Sequence, residues 1–223
     1  MLDDSKGGVA IFDLDKTLTV RSSYTPFILF AARQRPLRFL YAPRLLFLGL
    51  MMLLGLRHRD DVKAEMWRAV LGGLDRADTE AMGAAFAKHW SSTALRQNAQ
   101  TIIARHKSAG DRLVLATAAV DLVAAPFGKA LGFDDIVATK SAWTKDGKLA
   151  AEFDGLNCYG QEKLRRVQAL LGDDVPDHSI AYSDHVTDLP LLTWASIGVA
   201  VNPHAPLAEV ASAHGLRVED WNV

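Results

Sequence analysis

The sequence predicts an α/β fold: a doubly wound parallel sheet with an all-helical segment inserted after its first strand. Three observations lead there. Short continuous apolar runs end in polar residues, stretches with helical periodicity lie between them, and one long segment breaks the alternation without offering a strand.

The first run, Gly8-Val9-Ala10-Ile11-Phe12, stops at Asp13-Leu14-Asp15. Continuous apolar character, rather than alternation, marks a strand buried on both faces, as parallel strands are. Similar runs recur at Arg112 to Thr117, Ile136 to Thr139, Ser179 to Ser183 and Ile197 to Val201. Helices are expected over Leu122 to Leu131 and Glu162 to Leu171, the latter with Lys163, Arg165 and Arg166 on its polar side. Asp146-Gly147 between Ala142-Trp143-Thr144 and Leu149-Ala150-Ala151 predicts a small inserted hairpin. From Ser23 to His106 the pattern is four or five helices, punctuated by Pro26, Pro36, Pro43 and Gly72-Gly73. With no repeat or low-complexity linker, this segment is expected to be a cap packed on the core. The expected organisation is a core of residues 1–20 and 107–223 and a cap of residues 21–106.

The bulk numbers suit one mid-sized domain with an insertion: 223 residues, 49% hydrophobic and 23% charged. A formal net charge of −1 gives no global drive toward nucleic acid, so no nucleic-acid partner is expected. One cysteine, Cys158, excludes an intramolecular disulfide and a cysteine-rich zinc site, and fits a reducing, cytoplasmic compartment. The polar start, Met1 to Gly8, carries no signal-peptide pattern.

Ligands of open α/β sheets bind beyond the carboxyl ends of the strands. The polar residues expected there are Asp13 and Asp15 after the first strand, Thr117 after the second, and Asp184 and Asp188 after the fourth, with Lys163 opening a neighbouring helix. Four converging carboxylates repel one another unless a hard divalent cation joins them. Mg2+, which takes a few carboxylates together with waters and phosphate oxygens, suits that set. A lysine and a hydroxyl beside it suit the remaining phosphate oxygens. Asp184 and Asp188 could alone be read as helix-start residues, Cys158 as a small buried side chain, and His185 as a solvated neighbour or a substrate contact.

Asp13-Leu14-Asp15-Lys16-Thr17 after its apolar strand resembles the first motif of the haloacid dehalogenase superfamily. Asp184-His185-Val186-Thr187-Asp188 resembles the fourth, and Thr117 and Lys163 fall in order for the second and third. The resemblance covers essentially the whole chain and implies a Rossmann-like core with a helical cap of the phosphoserine-phosphatase-like branch. It also implies the roles. Asp13 would be the nucleophile that forms an aspartyl-phosphate, and Asp15 the general acid and base. Asp13, the Asp15 carbonyl and Asp184 would hold Mg2+, with Asp188 in or near that shell, and Thr117 and Lys163 would bind phosphate. Asp15-Lys16-Thr17 spells a motif of cation-pumping ATPases too, but the residue directly after the strand is Asp13.

Two departures bear on the substrate. Phosphoserine phosphatases carry a glutamate soon after the first motif, where this chain reads Arg21-Ser22-Ser23-Tyr24, and their glycine-rich second motif is replaced by Thr117-Ala118-Ala119. Leu45 to Leu56 is apolar on every helical face, with arginines before and after it. Twelve residues make ~18 Å of helix, against ~30 Å of bilayer hydrocarbon. Three readings of it stay open: cap core, peripheral membrane contact through residues 37–59, or a subunit interface. Arg35-Pro36-Leu37 and the proline-interrupted apolar stretch resemble the cap of bacterial phosphatidylglycerophosphatase C, as do Gly160-Gln161-Glu162-Lys163 and Tyr182-Ser183-Asp184. The expected substrate is therefore a phosphorylated small molecule or a lipid phosphate, met in the cytoplasm or at the inner face of the cytoplasmic membrane. A non-catalytic phosphate-binding regulator is the reading that the full set of acids disfavours.

Overall fold

The computed structural model describes residues 7–56, 59–172 and 177–222. The polar start up to Lys6 and Arg57 of the basic flank lie outside the described residues, as do the side chains of Arg38, Arg59 and Lys63.

The strands are β1 (Val9–Phe12), β2 (Arg112–Val120), β3 (Asp135–Trp143), β4 (Leu149–Asp154), β5 (Ser179–Ser183), β6 (Ile197–Val201) and β7 (Arg217–Glu219). They form a seven-stranded sheet in the order β4-β3-β2-β1-β5-β6-β7. Every pairing is parallel except β3 with β4. β1 lies at the centre, with Ala10, Ile11 and Phe12 fully buried, as a continuous apolar run requires. The order reverses direction about β1, so the loops after β1, β2 and β5 open beside one another at one edge.

Two features differ from expectation. The predicted hairpin is not a separate insertion, because β3 runs on from the Ile136 to Thr139 segment and pairs directly with β4. β7 was not expected at all. It is three residues long, two of them exposed, and a short charged edge strand leaves little hydrophobic pattern to read.

Between β1 and β2 the described residues form the α-helices α1 (Tyr24–Arg33), α2 (Ala42–Leu53), α3 (Arg59–Val70), α4 (Arg76–Thr93) and α5 (Ala99–Ser108). After β2 come α6 (Asp121–Leu131), α7 (Gln161–Leu171), α8 (Leu189–Trp194) and α9 (Ala205–Ala211). Phe27, Trp67, Phe86 and Trp90 of the helical segment share one buried cluster with Phe12, Leu113 and Leu115 of the sheet. α4 meets α6 so closely that a Cβ on Gly83 would stand 2.0 Å from the carbonyl oxygen of Leu122, so only glycine fits there. α5 lies against the sheet. His106 packs edge-on to Phe12 and bonds Tyr182 Oη (2.8 Å) and Asp111 Oδ2 (2.6 Å), a satisfied buried histidine away from the chemistry.

The apolar stretch from Leu45 to Leu56 is not cap core throughout. Leu46, Phe47, Leu50, Leu53, Leu54 and Leu56 are all more than half exposed, whereas Leu45, Leu48, Met51 and Met52 are partly covered.

Candidate active site

A cavity of about 380 Å3 opens at the carboxyl edge of the sheet. All six residues expected from the sequence line it: Asp13, Asp15, Thr117, Lys163, Asp184 and Asp188. Lys16, Ser22, Asn157, Tyr159, His185 and Thr187 complete its polar wall.

Asp13 follows β1 directly and its backbone N–H donates to the Tyr182 carbonyl of β5 (2.9 Å), which carries the strand's alignment into the site. The chain then winds through Leu14–Leu18, with Lys16 at φ 66°, a left-handed conformation that non-glycine residues rarely adopt. Arg96 braces that turn. It is buried, and its guanidinium donates to the carbonyls of Lys16 (2.6 Å from Nη2) and Thr17 (3.1 Å from Nε) and to Asn222 Oδ1 near the chain's end.

Lys163 occupies the first turn of α7 and is almost wholly buried. Gly160, at φ 58° and ψ −128°, makes the sharp entry to that helix, a backbone conformation side chains resist. Lys163 Nζ donates to Asp13 Oδ1 (2.9 Å) and Asp188 Oδ2 (2.6 Å). Asp188 Oδ2 also accepts from Ser183 Oγ (2.6 Å), while Asp188 Oδ1 is buried with no hydrogen-bond partner among the described residues. Thr17, fully buried, shares its one hydroxyl proton between Asp13 Oδ2 (3.3 Å) and Asp184 Oδ1 (3.2 Å), and accepts from the Asp184 N–H (2.9 Å). The same hydroxyl therefore registers the loop after β1 against the loop after β5.

Burial pushes the Asp13 carboxyl up to about 7; Lys163 opposes the shift, and Asp188 and Asp184 add to it. Asp184 is raised as well, first by burial. The same two acids, Asp13 and Asp188, hold Lys163 firmly protonated against its own burial. Asp13 and Asp188 thus share the one ammonium of Lys163, while Asp184, buried beside them, feels the charges of Lys16 and Arg96 but forms no ion pair among the described residues. That surplus of negative charge, and the unanswered Asp188 Oδ1, fit a divalent cation. Among the described residues no three of His, Cys, Asp and Glu are gathered tightly enough to hold a metal by themselves. Magnesium does not need three, since it keeps several waters and binds through one or two carboxylates plus substrate phosphate.

Asp15 stands apart from this group. Its carboxylate accepts from the Ser23 N–H (2.8 Å) and Ser22 Oγ (3.1 Å), at the entry to α1. The residue expected to move a proton is thus tied to the start of the helical segment. Thr117 lies within β2, where the register against β3 is irregular between Ala116 and Val120, and not after the strand's end. Its Oγ1 accepts from the Ala119 N–H (3.1 Å).

Sequence reading gave no role to Thr17, Ser183, Arg96, Asn157 or Tyr159. Thr17 stood inside the quoted first motif, two residues past the second acid, and could have been found there. Asn157 and Tyr159 sit in an irregular loop without periodicity, which Arg166 pins by donating to the carbonyls of Leu156 (2.6 Å) and Ala138 (2.8 Å). His185 lines the cavity, stacked on His204 with ring centroids 4.0 Å apart. Cys158 is fully buried, its thiol pushed up to about 11 by that burial.

A family model described as haloacid dehalogenase-like hydrolase matches residues 10–193. Protein CicA of Caulobacter vibrioides is 32% identical over 184 residues, covering 82% of this chain and 81% of that protein. Phosphoserine phosphatase SerB1 of Mycobacterium tuberculosis is 28% identical over 224 residues, covering 96% of this chain and 71% of its own. A Bordetella pertussis crystal structure of a protein with unknown function aligns with a TM-score of 0.79 at 27% identity, over 97% of this chain and all of that one. The central strand, the loops beside it and the helices between them fall inside the matched span, and the chain belongs to the haloacid dehalogenase-like hydrolases, as a phosphatase of that family.

Proposed function

We propose that this phosphatase is a Mg2+-dependent phosphomonoester hydrolase that works through an aspartyl-phosphate on Asp13. The state of Asp13 carries the reading. It is buried at the cavity, held at Oδ1 by Lys163 and at Oδ2 by Thr17, and so aimed rather than mobile.

In this reading Asp13 attacks phosphorus, and the bond from phosphorus to the ester oxygen breaks. Asp15 gives its proton to the departing oxygen, then takes one from the water that attacks the aspartyl-phosphate, releasing phosphate and restoring Asp13. Lys163 and Thr117 bind the phosphoryl oxygens, and Lys163 balances charge as the equatorial oxygens gain it. Mg2+ when bound would be held by Asp13, the Asp15 carbonyl and Asp184, with Asp188 nearby, and would neutralise carboxylates and phosphate together. Residues 1–20 and 107–223 form the core and 21–106 the cap, with α5 as the part of the cap segment rooted on the sheet.

The substrate is a small phosphomonoester. Phosphoserine phosphatase is what one relative is called, yet no glutamate lines this cavity among the described residues, and Ser22 stands near the position where those enzymes keep theirs. A lipid phosphate such as phosphatidylglycerophosphate, met by peripheral contact of residues 37–59 with the inner face of the cytoplasmic membrane, is the second reading. The exposed leucines of α2 favour it. Hydrolysis of p-nitrophenyl phosphate in the presence of Mg2+, silenced by chelator and restored by added Mg2+, is the expected result. Full turnover in chelator would defeat the metal reading, and turnover by Asp13→Asn the nucleophile.

A further inference from the structure

We propose that the outer face of α2 is a docking surface for anionic lipid bilayers, entered by the helix lying in the membrane interface. At 100° per residue, Leu53, Leu46, Leu50, Leu54 and Phe47 fall in an arc of about 120°. All five are more than half exposed. The opposite arc, with Leu45, Leu48, Met51 and Met52, is the partly covered one that faces the rest of the chain. α2 is therefore amphipathic in burial though not in sequence, with an apolar face on both sides. Leu37 and Leu40, both 80% exposed, continue the surface ahead of the helix. An apolar face of this size on one helix marks a site for a partner.

Charge identifies the partner. From Lys16 to Arg59 every charged side chain is basic, and the next acids, Asp60 and Asp61, come only after the apolar segment has ended. Arg33 is exposed and Arg44, although it lies on the covered side of α2 and reaches Glu65 (3.2 Å), keeps 64% of its side chain in solvent. A second copy of this chain would bring the same positive charge against itself. An anionic headgroup layer over hydrocarbon answers both features, with leucines in the acyl boundary and arginines among the phosphates. None of the described helices is long and apolar enough to cross a membrane, so the contact is peripheral.

The proposal shares with the second reading of substrate a membrane as the place of work, and is tested without turnover so that the two can fail separately. The whole protein is cosedimented with vesicles of phosphatidylglycerol in phosphatidylcholine, and with phosphatidylcholine alone. Binding is expected to the anionic vesicles, weaker at high salt. Leu50→Gln with Leu53→Gln should lower affinity at least about tenfold, with p-nitrophenyl phosphate hydrolysis unchanged as proof of folding. Arg33→Gln and Arg44→Gln should each lower it about fivefold at low salt only. No binding to anionic vesicles overturns the proposal, and so does a dimer in sedimentation velocity that the double leucine variant dissolves.

Discussion

The cavity and the outer face of α2 break opposite halves of the same rule. Charged side chains are almost never fully buried unless paired, and large contiguous apolar patches are rarely exposed. At the cavity, Asp13, Asp184, Asp188 and Lys163 are all buried. On α2, leucines face solvent. The difference lies in where the compensation comes from. Lys163, Thr17 and Ser183 answer most of the buried charge from within the chain, and the proposed cation would answer the rest. Among the described residues nothing answers the outer leucines. A region whose partners are internal is pre-organised for chemistry, and one whose partners are missing is organised for something outside.

The sharpest test of the first half is Asp13→Asn. It removes the charge while keeping the shape, so Lys163 retains an oxygen to bond while the amide nitrogen takes the place of the oxygen that Thr17 bonds. Turnover of p-nitrophenyl phosphate should fall at least about 10³-fold, about 4 kcal/mol in barrier, with the circular dichroism spectrum unchanged. Next comes Lys163→Met, which leaves Asp13 and Asp188 buried without their cation. In chelator, urea unfolding should show a loss of about 3 kcal/mol, and turnover should be lost as well. Stability equal to wild type would mean that the lysine is not the partner these acids depend on.

How much of this was legible in the sequence follows the same division. Asp13, Asp15, Asp184 and Asp188 were legible because strand ends announce themselves, as an apolar run that stops at a polar residue, whereas Thr117 lies inside β2 and Lys163 in the first turn of α7, and both were placed by motif order. The topology then brings the ends together, and all six line one cavity. Thr17 was readable but unread, since a threonine in a loop carries no signal until its two carboxylate partners are known. Arg96 was not readable. It lies 80 residues from Lys16 in sequence, and only the fold brings its guanidinium to that carbonyl. β7 was lost to its brevity, and the hairpin was found at its turn but not as a continuation of the preceding strand, because a turn signal says where a chain reverses, not how far its first strand extends back. The apolar helix was undecidable in principle. Periodicity identifies one covered face by contrast with a polar one, and Leu45 to Leu56 offers no contrast.

Arg96 is a positioning residue on this account, and a smaller effect separates that role from plain stability. Arg96→Lys keeps the charge but loses the planar fork that grips the carbonyls of Lys16 and Thr17. The left-handed turn at Lys16 links the nucleophile to Thr17, so loosening it should disturb the aim of Asp13. The expected result is a fall in kcat of about tenfold, worth about 1.4 kcal/mol, with KM nearly unchanged. Asn222→Ala should act in the same direction, since Asn222 shares the guanidinium. A lowered melting temperature with kcat intact would leave Arg96 a structural residue only.

The smallest effect is expected at the outer face of α2, and there a near-zero result is informative. Leu113 of β2 is 1% exposed and belongs to the cluster that joins sheet and cap. Leu113→Ala should cost about 2–5 kcal/mol, through lost transfer energy and the cavity left behind. Leu50→Ala and Leu53→Ala remove the same atoms from positions 51% and 80% exposed, where no cavity forms and little area leaves water on folding. Each should change stability by no more than about 0.5 kcal/mol in urea unfolding without lipid. The same chemical change thus divides the leucines of this chain by what they serve. Those whose removal unfolds the protein hold it together, and those whose removal is silent in buffer are present for a partner. A loss near that of Leu113→Ala at either α2 position would show that the helix is packed on its outer side in solution. The contrast with the cavity would then collapse, because the apolar face would have an internal partner after all.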